Sequence, residues 1–164
     1  MGNKDSRDPK PNLELDLTHF KVLKTVGQGG FGKVNAIMKN DSNELFALKR
    51  FSKDRVVRDK RVMKMLWAER NVMILFKSPF LCNVVFAFDD PLEAYLVMPF
   101  MEGGDLRFHM NKKAMSESTA RFYAAGMVLA LEELQSLHIV YRDFKPDNIL
   151  LDHDGHLRLS DFGL

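Results

Sequence analysis

A single cysteine in 164 residues leaves no disulfide framework within the chain, which fits a reducing compartment. That residue, Cys82, lies in the apolar run Phe80-Leu81-Cys82-Asn83-Val84-Val85 with no histidine close by, the setting of a small buried hydrophobe rather than a reactive thiol. No apolar stretch approaches the roughly 18 residues needed to span a bilayer, and the polar N-terminus lacks the hydrophobic middle of a secretory signal. The net excess of either charge is also small. A formal net charge of +2, with basic residues not interleaved with aromatic ones, argues against a nucleic-acid partner. There is no internal repeat and no low-complexity segment. What remains, with 46% hydrophobic and 28% charged residues, is the composition of a globular domain with its own core.

Two of the six prolines, Pro9 and Pro11, fall in a polar N-terminal stretch without apolar period, so residues 1–17 are expected to form a flexible tail. Its start, Met1-Gly2-Asn3-Lys4-Asp5-Ser6, fits the N-myristoylation pattern and makes Gly2 a candidate acylation site. The expected location is cytoplasmic, with peripheral membrane contact if Gly2 is acylated. Three short β-rich segments follow, Phe20 to Val26, Gly32 to Met38 and Leu45 to Phe51, then a helical pattern from Asp54 to Phe76. Strands are expected again at Cys82 to Phe88 and Ala94 to Pro99. Beyond Gly103-Gly104 the pattern is mostly helical, with Ser116 and Ser118 as candidate N-caps of a helix reaching about Leu137 that is apolar on nearly every side. The basic run from Lys49 to Lys64 is expected to be a solvated face, with an anionic membrane as the functional alternative.

The loop Gly27-Gln28-Gly29-Gly30-Phe31-Gly32-Lys33-Val34 contains GxGxxG, in which missing β-carbons let backbone amides approach phosphate oxygens. In a dinucleotide-binding loop the last glycine opens a helix and an acidic residue follows about 20 positions on. Here the last glycine enters a strand and the downstream landmark is Lys49, placed on the third strand to hold ATP phosphates. Glu69, on the following helix, is expected to pair with Lys49.

The most specific signal is Tyr141-Arg142-Asp143-Phe144-Lys145-Pro146-Asp147-Asn148, followed by Asp161-Phe162-Gly163. Phosphoryl transfer needs a carboxylate to orient the attacking hydroxyl and take its proton, a cation near the γ-phosphate, and oxygen ligands for magnesium. Asp143 supplies the base, Lys145 the cation, and Asn148 and Asp161 the Mg2+ ligands. A chance match to this ordered set of landmarks is improbable.

These motifs resemble those of the eukaryotic serine/threonine protein kinases, over about residues 18 to 164. Tyr141 in place of histidine before Arg142-Asp143 is similar to the AGC group. The runs Gly103 to His109 and Arg121 to Ala125 resemble the G-protein-coupled receptor kinases, while Met1-Gly2 and Lys145 to Asn148 resemble the YANK-type kinases. The resemblance implies an α+β fold: an antiparallel five-stranded small lobe with one main helix (18–100), then the start of a helical large lobe (101–164). It also implies ATP and magnesium as cofactors and a protein substrate with a serine or threonine acceptor. By the same resemblance Val34 and Ala47 form the ceiling of the adenine pocket and Leu150 its floor, with Met98 as gatekeeper. The hinge is Pro99, Phe100 and Met101, and Asp105 lies near the ribose. Met73, Val84, Tyr141 and Phe162 stack as a spine.

Two positions depart from the family pattern. Pro99 stands where an acidic hinge residue is usual, and Phe144 where leucine usually follows the catalytic aspartate. The activation loop and later helices of the family do not appear in this sequence, so we expect a truncated kinase domain, itself weak or inactive. A non-catalytic nucleotide- or partner-binding module is the alternative, and a small-molecule kinase is disfavoured by the AGC-like runs.

Overall fold

The computed structural model of the chain describes residues 15–29, 32–54 and 70–162. Alternation of β-formers builds an antiparallel sheet from β1 (Phe20–Gly29), β2 (Gly32–Lys39), β3 (Leu45–Ser52), β4 (Phe86–Asp89) and β5 (Glu93–Pro99), in the order β1-β2-β3-β5-β4. The family-implied α+β architecture is present in its five-stranded small lobe. Of the helix expected from Asp54 to Phe76, residues 53–54 and 70–75 are helical, and 55–69 lie outside the described residues, as do the tail to residue 14 and Gly163.

Strand alternation gives the sheet two distinct faces. One buries Phe20, Ile37, Phe46, Leu48, Tyr95 and Val97. Its aromatic rings interlock, Phe20 stacking on Phe88 at 5.9 Å and meeting Phe46 edge-on at 6.4 Å, pairs worth about 0.5–1.5 kcal/mol each beyond area burial. The other face carries Val34, Ala47, Lys49, Leu96 and Met98, because Val34 and Leu96 lie opposite Lys49, and Met98 opposite Ala47.

The strand expected from Cys82 begins only at Phe86. Residues 81–84 are held elsewhere: Leu81 bridges Leu159, the Cys82 amide donates to the Leu159 carbonyl at 2.9 Å, and the Val84 amide to Met73 at 3.4 Å. Cys82 is buried at 2% exposure, as anticipated, and burial pushes its thiol up to about 12, which keeps it inert.

Beyond Met101 three short strands form a second antiparallel sheet: β6 (Gly104–Asp105), β7 (Ile149–Leu151) and β8 (Leu157–Leu159). Helix α1 (Leu106–Lys112) is capped by Asp105, and α2 (Glu117–Ser136) by Ser116, whose Oγ accepts from the Thr119 amide at 3.1 Å. Gly126, Ala130 and Leu134 form the buried stripe of α2. A Cβ on Gly126 would fall 2.7 Å from Leu157 Cδ2, so this glycine, costly for an isolated helix, lets α2 approach β8 closely. Tyr123 and Met127 pack partly buried against the same core, while much of the rest of this apolar helix is open to solvent, with Phe122 at 53% and Val128 at 63% exposure. No helix among the described residues is long and apolar enough to cross a membrane.

Gly103 fixes the approach of the hinge end to β7. Its amide donates to Leu151 O at 2.9 Å, and a Cβ there would lie 2.8 Å from Asp152 O and 2.9 Å from Leu151 O. Backbone cannot yield as a side-chain tip can. Gly103→Ala is therefore expected to destabilise the chain by about 1–3 kcal/mol in denaturant unfolding, and an unchanged midpoint would contradict this close packing.

Candidate active site

Lys49 occupies the middle of β3 with its side chain only 13% exposed, and its ammonium reaches Asp161 Oδ1 at 2.8 Å. This contact joins the small-lobe sheet to the segment after β8. Asp161 adopts φ 55°, a left-handed conformation unusual for a residue other than glycine, and such conformations concentrate at functional sites. Arg142, just before Asp143, has φ 29°.

The catalytic loop is cross-braced. Asp143 Oδ2 accepts from Lys145 Nζ at 2.6 Å and from Asn148 Nδ2 at 2.9 Å, and that amide also donates to Asp143 O at 3.0 Å. Both side-chain bonds fall on one oxygen, Oδ2. Lys145 and then Asn148 hold the Asp143 carboxyl below the usual carboxylate range, and Asp143 in turn raises the Lys145 ammonium. Because a depressed carboxylate remains ionised as pH falls, the acid limb of any rate profile should lie below the ordinary aspartate range. Lys145→Ala is expected to move that limb to higher pH, and a limb that stays in place would remove Lys145 from this role.

Pairing of β7 with β8 sets Ile149 opposite Leu159, so Asn148 and Asp161 are carried to neighbouring ends of the ladder. Ser160 completes the link, donating to Asn148 O from its amide at 2.8 Å and its hydroxyl at 3.0 Å, while Tyr141 donates its hydroxyl to Ser160 O. Sequence reasoning passed over Ser160. Its only signal was its place before Asp161. Burial pushes the Tyr141 phenol well above its ordinary value, which keeps it a donor. Met73, Tyr141 and Phe162 share one buried cluster, with Val84 packed against it, so the expected spine is assembled.

The other expected residues divide. Val34, Ala47, Lys49 and Met98 share a sheet face by register, and Leu150 lies opposite Asp105 across β6 and β7. Asp105 also has a local role, accepting from the Phe108 amide at 2.7 Å. Pro99 lies opposite Phe46, on the other face, beside a groove of about 530 Å³ that Phe86 and Phe100 also line. Among the described residues, Lys49, Asp143 and Lys145 are not part of that groove. Pro99 has no amide hydrogen, so any backbone donor the expected hinge offers would come from Phe100 or Met101. Gly27 and Gly32 pair within the β1–β2 hairpin, with Val34 and Gly29 as partners; Gly30, Phe31, Glu69 and the side chain of Gln28 lie outside the described residues. The Lys49–Glu69 pair is therefore outside them too.

Donor chemistry fits a magnesium nucleotide. Asn148, bound to Asp143 through its nitrogen, keeps an amide oxygen to offer beside the Asp161 carboxylate, and oxygen donors suit magnesium. A Cβ on Gly32 would land 1.8 Å from the Arg50 carbonyl oxygen, so the β1–β2 hairpin can lie this close only with glycine there. Magnesium, when bound, would neutralise phosphate charge. Lys49 would bind phosphate oxygens, and Asp143 would orient a hydroxyl and accept its proton.

Residues 20–164 match the protein kinase domain family, and the chain belongs to that family. It is 40% identical over 158 residues to ribosomal protein S6 kinase beta of Caenorhabditis elegans, covering 94% of this chain and 29% of that protein. It is 42% identical over 157 residues to the serine/threonine-protein kinase YPK1 of Saccharomyces cerevisiae, covering 95% and 23%. To the human serine/threonine-protein kinase 32B it is 36% identical over 168 residues, covering 100% and 40%. The chain thus spans well under half the length of these relatives.

Proposed function

We propose that this chain carries the nucleotide-binding and catalytic-loop portion of an AGC-type serine/threonine protein kinase. The observation that carries the reading is the 2.8 Å contact between Lys49 and Asp161, which pairs the candidate phosphate-binding cation with a candidate magnesium ligand. In the reaction, the acceptor hydroxyl loses its proton to Asp143 and its oxygen forms a bond to the γ-phosphorus of ATP. The bond from that phosphorus to the β–γ bridging oxygen breaks, and ADP leaves with the electron pair.

Serine or threonine as acceptor is supported by Lys145, two residues after Asp143, and by relatives named as serine/threonine kinases. The runs Gly103 to His109 and Met1-Gly2 favour the receptor-kinase-like and YANK-like branches of the group. Transfer of label from γ-labelled ATP with magnesium, followed by phosphoamino-acid analysis, tests this. Phosphoserine or phosphothreonine is expected; phosphotyrosine alone would overturn it. A cytoplasmic location with peripheral membrane contact through acylated Gly2 belongs to the same reading, and intact-mass spectrometry of the cellular N-terminus should show the added acyl group.

A further inference from the structure

The surface beside the catalytic loop carries an arginine paired with one of that loop's carboxylates. Arg107, in the first turn of α1, donates from Nε and Nη2 to one oxygen of Asp147, each at 3.3 Å. Asp147 lies between Lys145 and Asn148, and its charge acts on the Lys145 ammonium together with those of Asp143 and Asp161. Arg107 therefore touches a residue whose charge reaches Lys145, the cation bonded to the proposed base. The other carboxylate here, Asp105, caps α1 through the Phe108 amide. Further along the helix, the Lys112 ammonium lies 4.1 Å over the Phe108 ring, and exposed Lys113 follows.

A guanidinium offers five N–H donors in a planar fork. Asp147 engages only two, at the long end of hydrogen-bond range and on a single oxygen, and the two side chains are 45% and 51% exposed. Such an exposed pair is worth about 1 kcal/mol or less, so Arg107 is readily shared with a second acceptor. A peptide carboxylate would gain charge-assisted bonds from the unused donors. A peptide arginine or lysine would have to displace Arg107 or stand beside it, and juxtaposed like charges are unfavourable.

We propose that Arg107 sets substrate preference at this site, favouring acceptor peptides with acidic side chains beside the serine or threonine over peptides with basic ones. The proposal rests on the kinase reading of the catalytic loop. Two fluorescein-labelled peptides, one serine flanked by glutamates and the same serine flanked by arginines, are titrated against the full chain with magnesium and a non-hydrolysable ATP analogue. Fluorescence anisotropy should show the acidic peptide binding roughly tenfold tighter. Arg107→Glu should reverse the order, Arg107→Ala should abolish the acidic preference by baring Asp147, and Asp147→Asn should strengthen it. A merely structural Arg107 would not move the two substitutions at the pair in opposite directions.

Nucleotide affinity, measured in the same samples, should be unchanged in these variants and reports folding. Equal binding of the two peptides, preference of the unsubstituted chain for the basic one, or an unchanged order in Arg107→Glu overturns the proposal while leaving the nucleotide site standing. A chain that binds nucleotide but neither peptide overturns it as well. Failure to bind nucleotide at all counts against the kinase reading first and takes this proposal with it.

Discussion

Asp143→Asn should lower the rate of phosphoryl transfer by about 10²- to 10⁴-fold, the range associated with a positioned acid or base, while nucleotide affinity stays within a few-fold. The substitution keeps the size of the side chain and removes its charge and its ability to take a proton. Lys145 and Asn148 both donate to Asp143 Oδ2, so the loop brace loses its anionic acceptor although backbone contacts such as Asn148 Nδ2 to Asp143 O persist. Lys49 and Asp161 pair independently of Asp143, which is why binding and chemistry should separate. Single-turnover transfer and nucleotide titration measure the two parts. A variant that transfers phosphate at the unsubstituted rate would remove Asp143 as the base; one that merely loses nucleotide affinity would assign it to ground-state binding instead.

How much of this was legible beforehand depends on how local each determinant is. Four of the five small-lobe strands showed themselves through alternation and turn residues, and their observed spans differ by only a few residues from those expected. The exception, around Cys82, failed for a tertiary reason: an apolar run can pair along a strand or be drawn out of it, and here Leu81 and Cys82 are bound by Leu159 from far along the chain. Strands β6, β7 and β8 have two or three residues each, too few for any period to register. The long helix α2 was legible as a helix, and of its two candidate N-caps, Ser116 and Ser118, the fold uses Ser116. Its near-continuous apolar character hid the stripe it uses here, because only burial against the folded core distinguishes Gly126, Ala130 and Leu134 from their neighbours.

The candidate site was legible through residue types whose chemistry is hard to replace. A carboxylate base, a lysine two residues on and an amide oxygen must come in order along one loop, so Asp143, Lys145 and Asn148 stood out. Geometry that depends on folded neighbours did not. Nothing local to Asp161 indicated a positive φ, and nothing local to Arg107 indicated that α1 would place it against Asp147. Ser160 belongs to the same class, since its two bonds to Asn148 O exist only once β7 and β8 are paired.

Phe162 gives the second large effect, because it ties this geometry to the core. It is 1% exposed, with its ring 4.6 Å from that of Phe76 and 5.4 Å from that of Tyr141, both tilted toward edge-on packing. Phe162→Ala should cost about 3–5 kcal/mol, combining lost transfer free energy with the cavity left between those rings. For a chain of this length that corresponds to a melting temperature lower by roughly 10 °C. A second consequence separates this position from an ordinary core residue. Asp161 is held at its left-handed backbone angle by anchors on either side, Ser160 bonded to Asn148 O and Phe162 buried among rings. Releasing one anchor lets Asp161 relax toward an unstrained conformation and away from Lys49. Magnesium-dependent nucleotide binding should therefore weaken even where Phe162→Ala remains folded. Phe162→Leu, closer in volume, should cost less than about 1.5 kcal/mol and retain most of that binding. Denaturant midpoints and nucleotide titrations at a temperature where all variants are folded distinguish the outcomes: a folded Phe162→Ala chain with unaltered magnesium dependence would show that the ring stabilises the core without positioning Asp161.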